Sequence, residues 1–342
     1  MSWDKQIPAK PVIAVCGATG AVGREMLKVL EQRDFPLEKV RVLASARSAG
    51  TKVPFSGKEI EVEEMTESSF RGVDIALFAA GGSTAESFKD SVVSAGAVMI
   101  DNSSAFRMTE GVPLIVPEVN PDDISWHSGV IANPNCSTIQ MVVALKPLYE
   151  AAGGIKRVVV STYQAASGAG AGGMRELYEQ TREFLDNKEL TVEAFAHQIA
   201  FNTIPHIDVF HDDLYTKEEW KMVAETKKIF GDDSIEVAPT CVRVPVLRCH
   251  AESINVELKH SLSVNEARAA FESAQGVKLM DDPSTNTYPM PGLLQGTNET
   301  YVGRVRLDPT VKGGLAFWCV ADQIRKGAAL NAVQIAELLI KQ

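Results

Sequence analysis

No run of apolar residues in the 342-residue chain reaches the ~18 needed to cross a bilayer, which argues against a helical membrane protein. Basic residues are not in excess either. The chain has 34 Lys and Arg against 44 Asp and Glu, a formal net charge of −10. Nucleic acids and anionic lipid surfaces select basic faces, so neither is expected as a partner. A small anionic substrate stays open, because a few local Arg and Lys side chains can hold one. The five cysteines, Cys16, Cys136, Cys241, Cys249 and Cys319, are odd in number, scattered and without a CxxC pair. That gives no zinc pattern and no disulfide framework, and it fits a reducing compartment. Residues 1–11 lack an apolar signal core and Arg/Ser-rich transit character, so a cytoplasmic location is expected. No metal is expected.

The composition is that of an ordinary globular protein, 45% hydrophobic and 23% charged. The length suggests two domains, with a core large enough to need no covalent staple. Short apolar runs at residues 11–16 (PVIAVC), 40–44, 73–79, 97–100 and 130–132 read as buried parallel strands. Helical spacing follows the first run, with Val22, Met26, Leu27, Val29 and Leu30 on one face, and a further helix is expected over about 83–95. This alternation predicts a doubly wound α/β, Rossmann-type domain over 1–132, closed by a C-terminal amphipathic helix in 325–342. The pattern changes after about residue 133. A helix at 137–151, a strand at 157–162, a Gly/Ala-rich loop at 165–173 and a polar helix near 174–186 come next. Later β segments at 235–246, 252–258, 301–307 and 315–320 predict an α+β domain with a mixed sheet over 133–324.

Glycines at 17, 20 and 23 lie between the first strand and the first helix. Their GxxGxxG spacing departs from GxGxxG, but the physics is shared: a tight turn, close backbone approach to a pyrophosphate, and free N–H groups at a helix start. The bland alternative is a β–α turn with no ligand. At the end of the second strand an NAD site usually carries Asp or Glu for the ribose 2′-hydroxyl. Here Ser45, Arg47 and Ser48 occupy that stretch without a carboxylate, which favours the 2′-phosphate of NADP.

In the NPNCST run, residues 133–138, a strand ends and a helix begins. The helix-start residues place Cys136 near a positive dipole end, where thiolate is favoured over thiol. Cys16, Cys241 and Cys319 lie instead in apolar strand-like runs, as small buried side chains do. A thiolate nucleophile needs a proton-transfer partner. The histidines are His127, His197, His206, His211, His250 and His260, and spacing does not choose among them. His250 follows Arg243 and Arg248 on a strand edge, while His127, His211 and His260 stand in polar, loop-like surroundings.

The runs GATGAVG, LASARSAG, DNSSAFRM (101–108), NPNCST, STYQAASGAG (161–170), RVPVLRCHAE (243–252) and KGAALNAVQIAE occur in order across nearly the whole chain. Together they closely resemble the aspartate-semialdehyde dehydrogenase family. The resemblance implies a Cys136 nucleophile, Gln164 orienting the thioacyl group, and His250 as general acid/base. It also implies Arg107 and Lys221 on the substrate phosphate, Arg243 on the α-carboxylate, and Glu218 (or the adjacent Glu219) on the α-ammonium. NADP would contact Gly17, Thr19, Gly20, Ala21, Val22, Arg47, Ser48, Ser167, Gly168 and Asn331. The substrates implied are 4-phospho-aspartate, aspartate semialdehyde and phosphate, in lysine, methionine, threonine and diaminopimelate biosynthesis. The assembly implied is a homodimer, or a homotetramer built as a dimer of dimers. Two other readings compete: an N-acetyl-γ-glutamyl-phosphate reductase, which shares the thioester logic, and a non-catalytic NADP-binding sensor or scaffold, which needs no nucleophile.

Overall fold

Strands buried on both faces require continuous apolar sequence, and the first half of the chain supplies it. The computed structural model describes residue 3 and residues 5–341. In chain order the first half forms β1 (Val12–Cys16), α1 (Ala21–Gln32), β2 (Lys39–Ala44), β3 (Lys52–Phe55), β4 (Lys58–Glu61), β5 (Glu63–Glu64), β6 (Ile75–Phe78), α2 (Gly82–Ser94), β7 (Val98–Asp101) and β8 (Val130–Ala132). Six of these make one parallel sheet, in the order β5-β2-β1-β6-β7-β8. β3 and β4 form a separate hairpin, which the apolar pattern alone did not reveal. Alternate residues face opposite layers. Ile13, Val15, Ile75, Leu77, Val98 and Ile100 pack into one core with Met26, Leu27 and Leu30 of α1. On the other face Phe78 stacks on Phe70, which meets Phe88 of α2 edge-on.

The second half runs α3 (Cys136–Ala151), β9 (Ile155–Gln164), α4 (Gly170–Leu185), α5 (Lys217–Phe230), β10 (Glu236–Arg243), β11 (His250–Leu258), α6 (Val264–Ser273), β12 (Val277–Leu279), β13 (Thr300–Asp308) and β14 (Gly314–Ala321). Its mixed sheet has the order β10-β9-β11-β14-β13-β12, with parallel pairs at both ends and antiparallel pairs between. α3 is buried along most of its length. On the sheet, Tyr163 and Trp318 sit 5.2 Å apart, and Tyr163 is exposed. The expected loop at 165–173 is shorter than read. A 3-10 turn spans Ala166–Ala169 and α4 starts at Gly170.

The chain then returns to the first sheet through α7 (Leu330–Leu339), preceded by a π-helical turn at Arg325–Ala329. The segment expected to be one amphipathic helix is buried nearly all round, with Leu330, Val333, Ile335, Ala336 and Leu339 in the core of the first sheet. Contacts divide the chain into two compact units, Met1–Asn135 with Ala328–Gln342, and Cys136–Gly327. The sequence reading put the breaks after residues 132 and 324. Leu330 is 1% exposed. Leu330→Ala should therefore lower the stability of the first unit by about 2–5 kcal/mol. The measurement is the denaturant midpoint of that unit, and an unchanged midpoint would contradict the packing.

Candidate active site

In an open parallel sheet, ligands sit beyond the carboxyl ends of the strands where the strand order reverses. Here the chain leaves β1 for β2 on one side and returns to β6 on the other, so the switch point lies between β1 and β6. Gly17 follows β1 directly, with φ at +82°, and a Cβ there would lie 2.6 Å from the Ala79 carbonyl oxygen after β6. Only glycine fits both constraints. The Gly17 and Ala18 N–H groups donate to Leu43 O (2.8 and 3.2 Å), which ties the loop to the end of β2. Gly20 is the N-cap of α1 and supplies no side-chain cap. The first N–H groups of the helix, at Ala21 and Val22, thus face an anion-ready end.

A cavity of 460 Å³ opens at this point, lined by Gly17, Thr19, Gly20, Ser45, Arg47 and Ser48 together with Ala79, Ala80, Thr84 and Phe88. Six of the predicted nucleotide contacts are thus brought together. Asn331 is placed elsewhere: its amide donates to Asn133 Oδ1 (2.7 Å) and Ile115 O (2.9 Å), binding α7 to the strand that leads into NPNCST. Arg107 is buried, and its Nε and Nη2 donate to the carbonyls of Asn133 and Asn102, both at 2.9 Å. Its guanidinium is held by the same backbone that carries the asparagines before Cys136.

The second unit holds Cys136 and His250, the groups expected to react. Cys136 is the first residue of α3 and is partly exposed, whereas Cys16, Cys241, Cys249 and Cys319 are buried. Burial pushes the buried thiols up, Cys249 to about 12, and leaves them inert at neutral pH. His250 opens β11 and is fully buried. Its Nδ1 accepts the Ala165 N–H at 3.0 Å, so the neutral ring carries its proton on Nε2, which has no partner among the described residues. Burial first, then the Arg243 guanidinium, push the imidazole well below its ordinary pKa. Arg243 donates to Ala165 O at 2.6 Å, and burial depresses it too, offset by Glu218 and then Cys136. Thiol and guanidinium are thus electrostatically coupled. Gly168 completes the corner: a Cβ there would lie 2.6 Å from Arg243 Nη1 and 3.3 Å from His250 Nε2. Ser167 is buried beside it and takes a hydrogen bond from the Gln323 amide.

Gln164 ends β9. Its Oε1 accepts from the Thr162 hydroxyl (3.0 Å) and its Nε2 donates to Glu218 Oε1 (3.1 Å). Lys221, one turn along α5, donates to Glu218 Oε2 (3.0 Å) and Asp208 Oδ2 (2.7 Å). Burial opposes its charge, but the two carboxylates outweigh burial and raise its pKa. Glu218 and Glu219 have different partners. Glu219 closes the capping box with Thr216 and also accepts the Cys241 N–H at 3.0 Å, so it is consumed by the fold. Glu218 faces Gln164 and Lys221. Helix α5 was missed by apolar periodicity, yet the Thr216-x-x-Glu219 spacing was a readable helix start. Asp208, Thr162 and Gln140 carry no local signal of this kind.

The other histidines do not join this cluster. His127, expected in a polar loop, is buried instead: its Nδ1 accepts the Gly129 N–H at 3.1 Å, its ring lies 5.8 Å from Trp3, and burial lowers its pKa to about 4. His206 stacks on Phe210, and His197, His211 and His260 are exposed. Among the described residues no group of His, Cys, Asp and Glu could hold a metal ion, and no helix is long and apolar enough to cross a membrane.

Comparison with known proteins agrees across both units. The semialdehyde dehydrogenase NAD-binding domain model matches residues 12–127, and the semialdehyde dehydrogenase dimerisation domain model matches residues 145–326. The aspartate-semialdehyde dehydrogenase of Aquifex aeolicus is 55% identical over 334 residues, covering 96% of this chain and 98% of that protein. That of Bacillus subtilis is 50% identical over 337 residues, covering 96% and 97%. The crystal structure of aspartate semialdehyde dehydrogenase II from Vibrio cholerae complexed with ASA superposes with a TM-score of 0.95 at 47% identity, covering 97% of this chain and 99% of that one. The Candida albicans enzyme with NADP gives 0.77 at 26% identity, covering 96% and 98%.

The buried neutral imidazole has a consequence for stability. Its folded pKa lies below its unfolded value of about 6.5. Its contribution is present above that value and is lost as pH falls, because the unfolded chain then binds a proton that the folded one refuses. The stability difference between wild type and His250→Gln should shrink below pH ~6.5, at up to ~1.4 kcal/mol per pH unit. Denaturation across pH 5–8 measures it, and a pH-independent difference would contradict the buried neutral ring.

Proposed function

The chain belongs to the aspartate-semialdehyde dehydrogenase family, an oxidoreductase family, and on that premise we propose that it converts 4-phospho-L-aspartate reversibly to L-aspartate 4-semialdehyde through a thioester on Cys136, with NADP(H), in amino-acid biosynthesis. The observation that carries the reading is Cys136: a partly exposed thiol on the first residue of a buried helix, coupled to Arg243.

The residues fit the cofactor. The glycine turn, the open start of α1 and Arg47 beside Ser45 and Ser48 suit a pyrophosphate and a 2′-phosphate, and no carboxylate there competes. When bound, the dinucleotide supplies or takes up a hydride. The chain's own residues do the rest. The Cys136 sulfur attacks the acyl carbon, the carbon–oxygen bond to phosphate breaks, and phosphate leaves with the electron pair. The helix start and the Arg243 charge favour the thiolate. The His250 Nε2–H is a donor suited to the acyl oxygen as negative charge develops on it. Collapse of the reduced adduct returns the thiolate, and the proton balance closes on phosphate. We assign Arg107 and Lys221 to the substrate phosphate, Arg243 to the α-carboxylate, Glu218 to the α-ammonium and Gln164 to the thioacyl group. Of the three Lys221 donors, Glu218 and Asp208 take two among the described residues, which leaves the third for an anion. We place Ser167, Gly168 and Asn331 on the cofactor side. The second unit matches a dimerisation domain, and we read the assembly as a homodimer, with a dimer of dimers as its larger form.

A non-catalytic NADP-binding scaffold has no use for a thiol coupled to a guanidinium. An N-acetyl-γ-glutamyl-phosphate reductase is disfavoured by the relatives. Faster turnover of the acetylated semialdehyde than of aspartate semialdehyde would reinstate it.

Cys136→Ala should abolish turnover while NADPH binding, read by fluorescence titration, stays near wild type. Mass spectrometry of the wild type with substrate and limiting cofactor should show an acyl adduct on the peptide carrying Cys136. Turnover by the alanine variant, or an adduct elsewhere, overturns the assignment. Arg47→Ala should weaken NADP by about 1.5–3 kcal/mol, roughly tenfold to a hundredfold, and NAD far less. Equal weakening of the two would remove the 2′-phosphate role.

A further inference from the structure

The RVPVLRCHAE run ends on Glu252, a residue that the proposed chemistry leaves unused. Glu252 lies two positions after His250 on β11, so both side chains leave the same face of the strand. It is 0% exposed. In register it sits between Thr162 of β9 and Cys319 of β14, neither of them cationic. Its side chain lies close to that of Gln140 on α3, whose amide favours the ionised carboxyl more weakly than burial opposes it. Yet Glu252 Oε1, Glu252 Oε2 and Gln140 Oε1 are all buried, and none has a hydrogen-bond partner among the described residues. With Gln140 Nε2 directed at the His250 carbonyl, the amide oxygen and the Glu252 carboxyl are left as facing acceptors, and a proton on the carboxyl satisfies both.

Gln140 has a particular place. It is four residues after Cys136, so in the i→i−4 pattern of α3 its backbone N–H is directed at the Cys136 carbonyl. Its side-chain Nε2 reaches the carbonyl of His250 at 3.5 Å. Its own carbonyl is approached by Cys319 Sγ at 3.9 Å. One residue thus touches the nucleophile through its main chain and the histidine through its side chain. The amide can hold that orientation only if its oxygen is engaged.

We infer that Glu252 is a positioning residue which, as a neutral carboxylic acid, donates a hydrogen bond to Gln140 Oε1 and thereby locks the helix start bearing Cys136 to the strand start bearing His250. Burial agrees, because it pushes this carboxyl well above the ordinary range. The neutral state also keeps negative charge out of the core one helical turn behind the nucleophile. Burial already raises the Cys319 and Cys241 thiols there, and an ionised Glu252 would raise them further. The functional part of this inference rests on Cys136 and His250 as the reacting pair, while the protonation does not.

Two measurements test it. Infrared difference spectra of wild type against Glu252→Gln, taken at neutral pH without substrate, should show a carboxylic-acid carbonyl band in the wild type only. In kinetics, Glu252→Gln should rescue the role, since an amide N–H can replace the acid O–H. Its kcat should stay within about twofold of wild type. Glu252→Ala should lose about tenfold to a hundredfold in kcat with KM nearly unchanged, as expected for misplaced reacting groups. A missing acid band, or a glutamine variant as impaired as the alanine one, overturns the inference. Should the alanine variant not fold, the infrared band and the glutamine kinetics decide alone. The failure of the proposed function is separate, since it appears as turnover by Cys136→Ala with the acid band intact.

Discussion

A helix leaves its first four N–H groups without intrahelical partners, and this chain places anion chemistry at two such ends. The start of α1 meets the glycine turn after β1, where Gly20 caps without a side chain and a 460 Å³ cavity opens. The start of α3 is Cys136 itself. The second end is the one on which the proposed chemistry depends. Because α3 is buried along most of its length, its first residue has no freedom to drift. Thr138, Ile139, Met141, Val142 and Leu145 hold the helix from all sides. Apolar packing along α3 thereby holds the Cys136 sulfur in place.

Burial also decides which groups carry charge. Three ionisable side chains of the second unit show three balances. Lys221 is buried but has two carboxylates, and it keeps its charge. His250 is buried next to a cation and gives its charge up. Glu252 is buried with no cation in register beside it and does the same. The rule is a competition between desolvation and the number of close opposite charges. Its outcome is a site whose permanent charges, Arg243, Glu218 and Lys221, are those suited to binding, while burial favours the neutral forms of His250 and Glu252.

The sequence made the first unit legible because parallel strands need unbroken apolar runs, and PVIAVC and VDIALFA stand out among polar neighbours. Cys136 was legible from NPNCST, since Asn, Pro and Ser mark a helix start whatever lies around them. The second unit was less so. KEEWKMVAETKKIF forms α5, but its buried face includes Glu218, Glu219 and Glu225, so an apolar stripe is hard to see. α6 and the hairpin of β3 and β4 are short and polar in the same way. Roles for Arg107, Lys221 and Gln164 came from family resemblance and not from spacing, because each depends on partners far along the chain. Lys221 reaches Asp208 through a loop, and Gln164 reaches Glu218 across 54 positions. Glu252 opens the β segment expected at 252–258, and nothing in the sequence around it sets it apart. Only the register, which sets it between Thr162 and Cys319, reveals that its face is sealed.

The backbone before His250 shows how that face is built. Cys249 has φ at +75°, a left-handed conformation that costs a side-chain-bearing residue about 1–2 kcal/mol. It persists because the Cys249 N–H donates to Gln323 Oε1 at 2.9 Å, and the same Gln323 amide donates to Ser167. The kink lets β11 begin on His250 with the ring turned to receive the Ala165 N–H. One glutamine side chain therefore supports both the turn into the histidine strand and the loop that carries Ser167 and Gly168. Without that kink an inward-facing imidazole would need a different strand register, and register here is common property: shifting β11 by one residue would turn Glu252 and His250 outward together. The position of the histidine and the burial of the acid are consequences of the same pairing with β9 and β14.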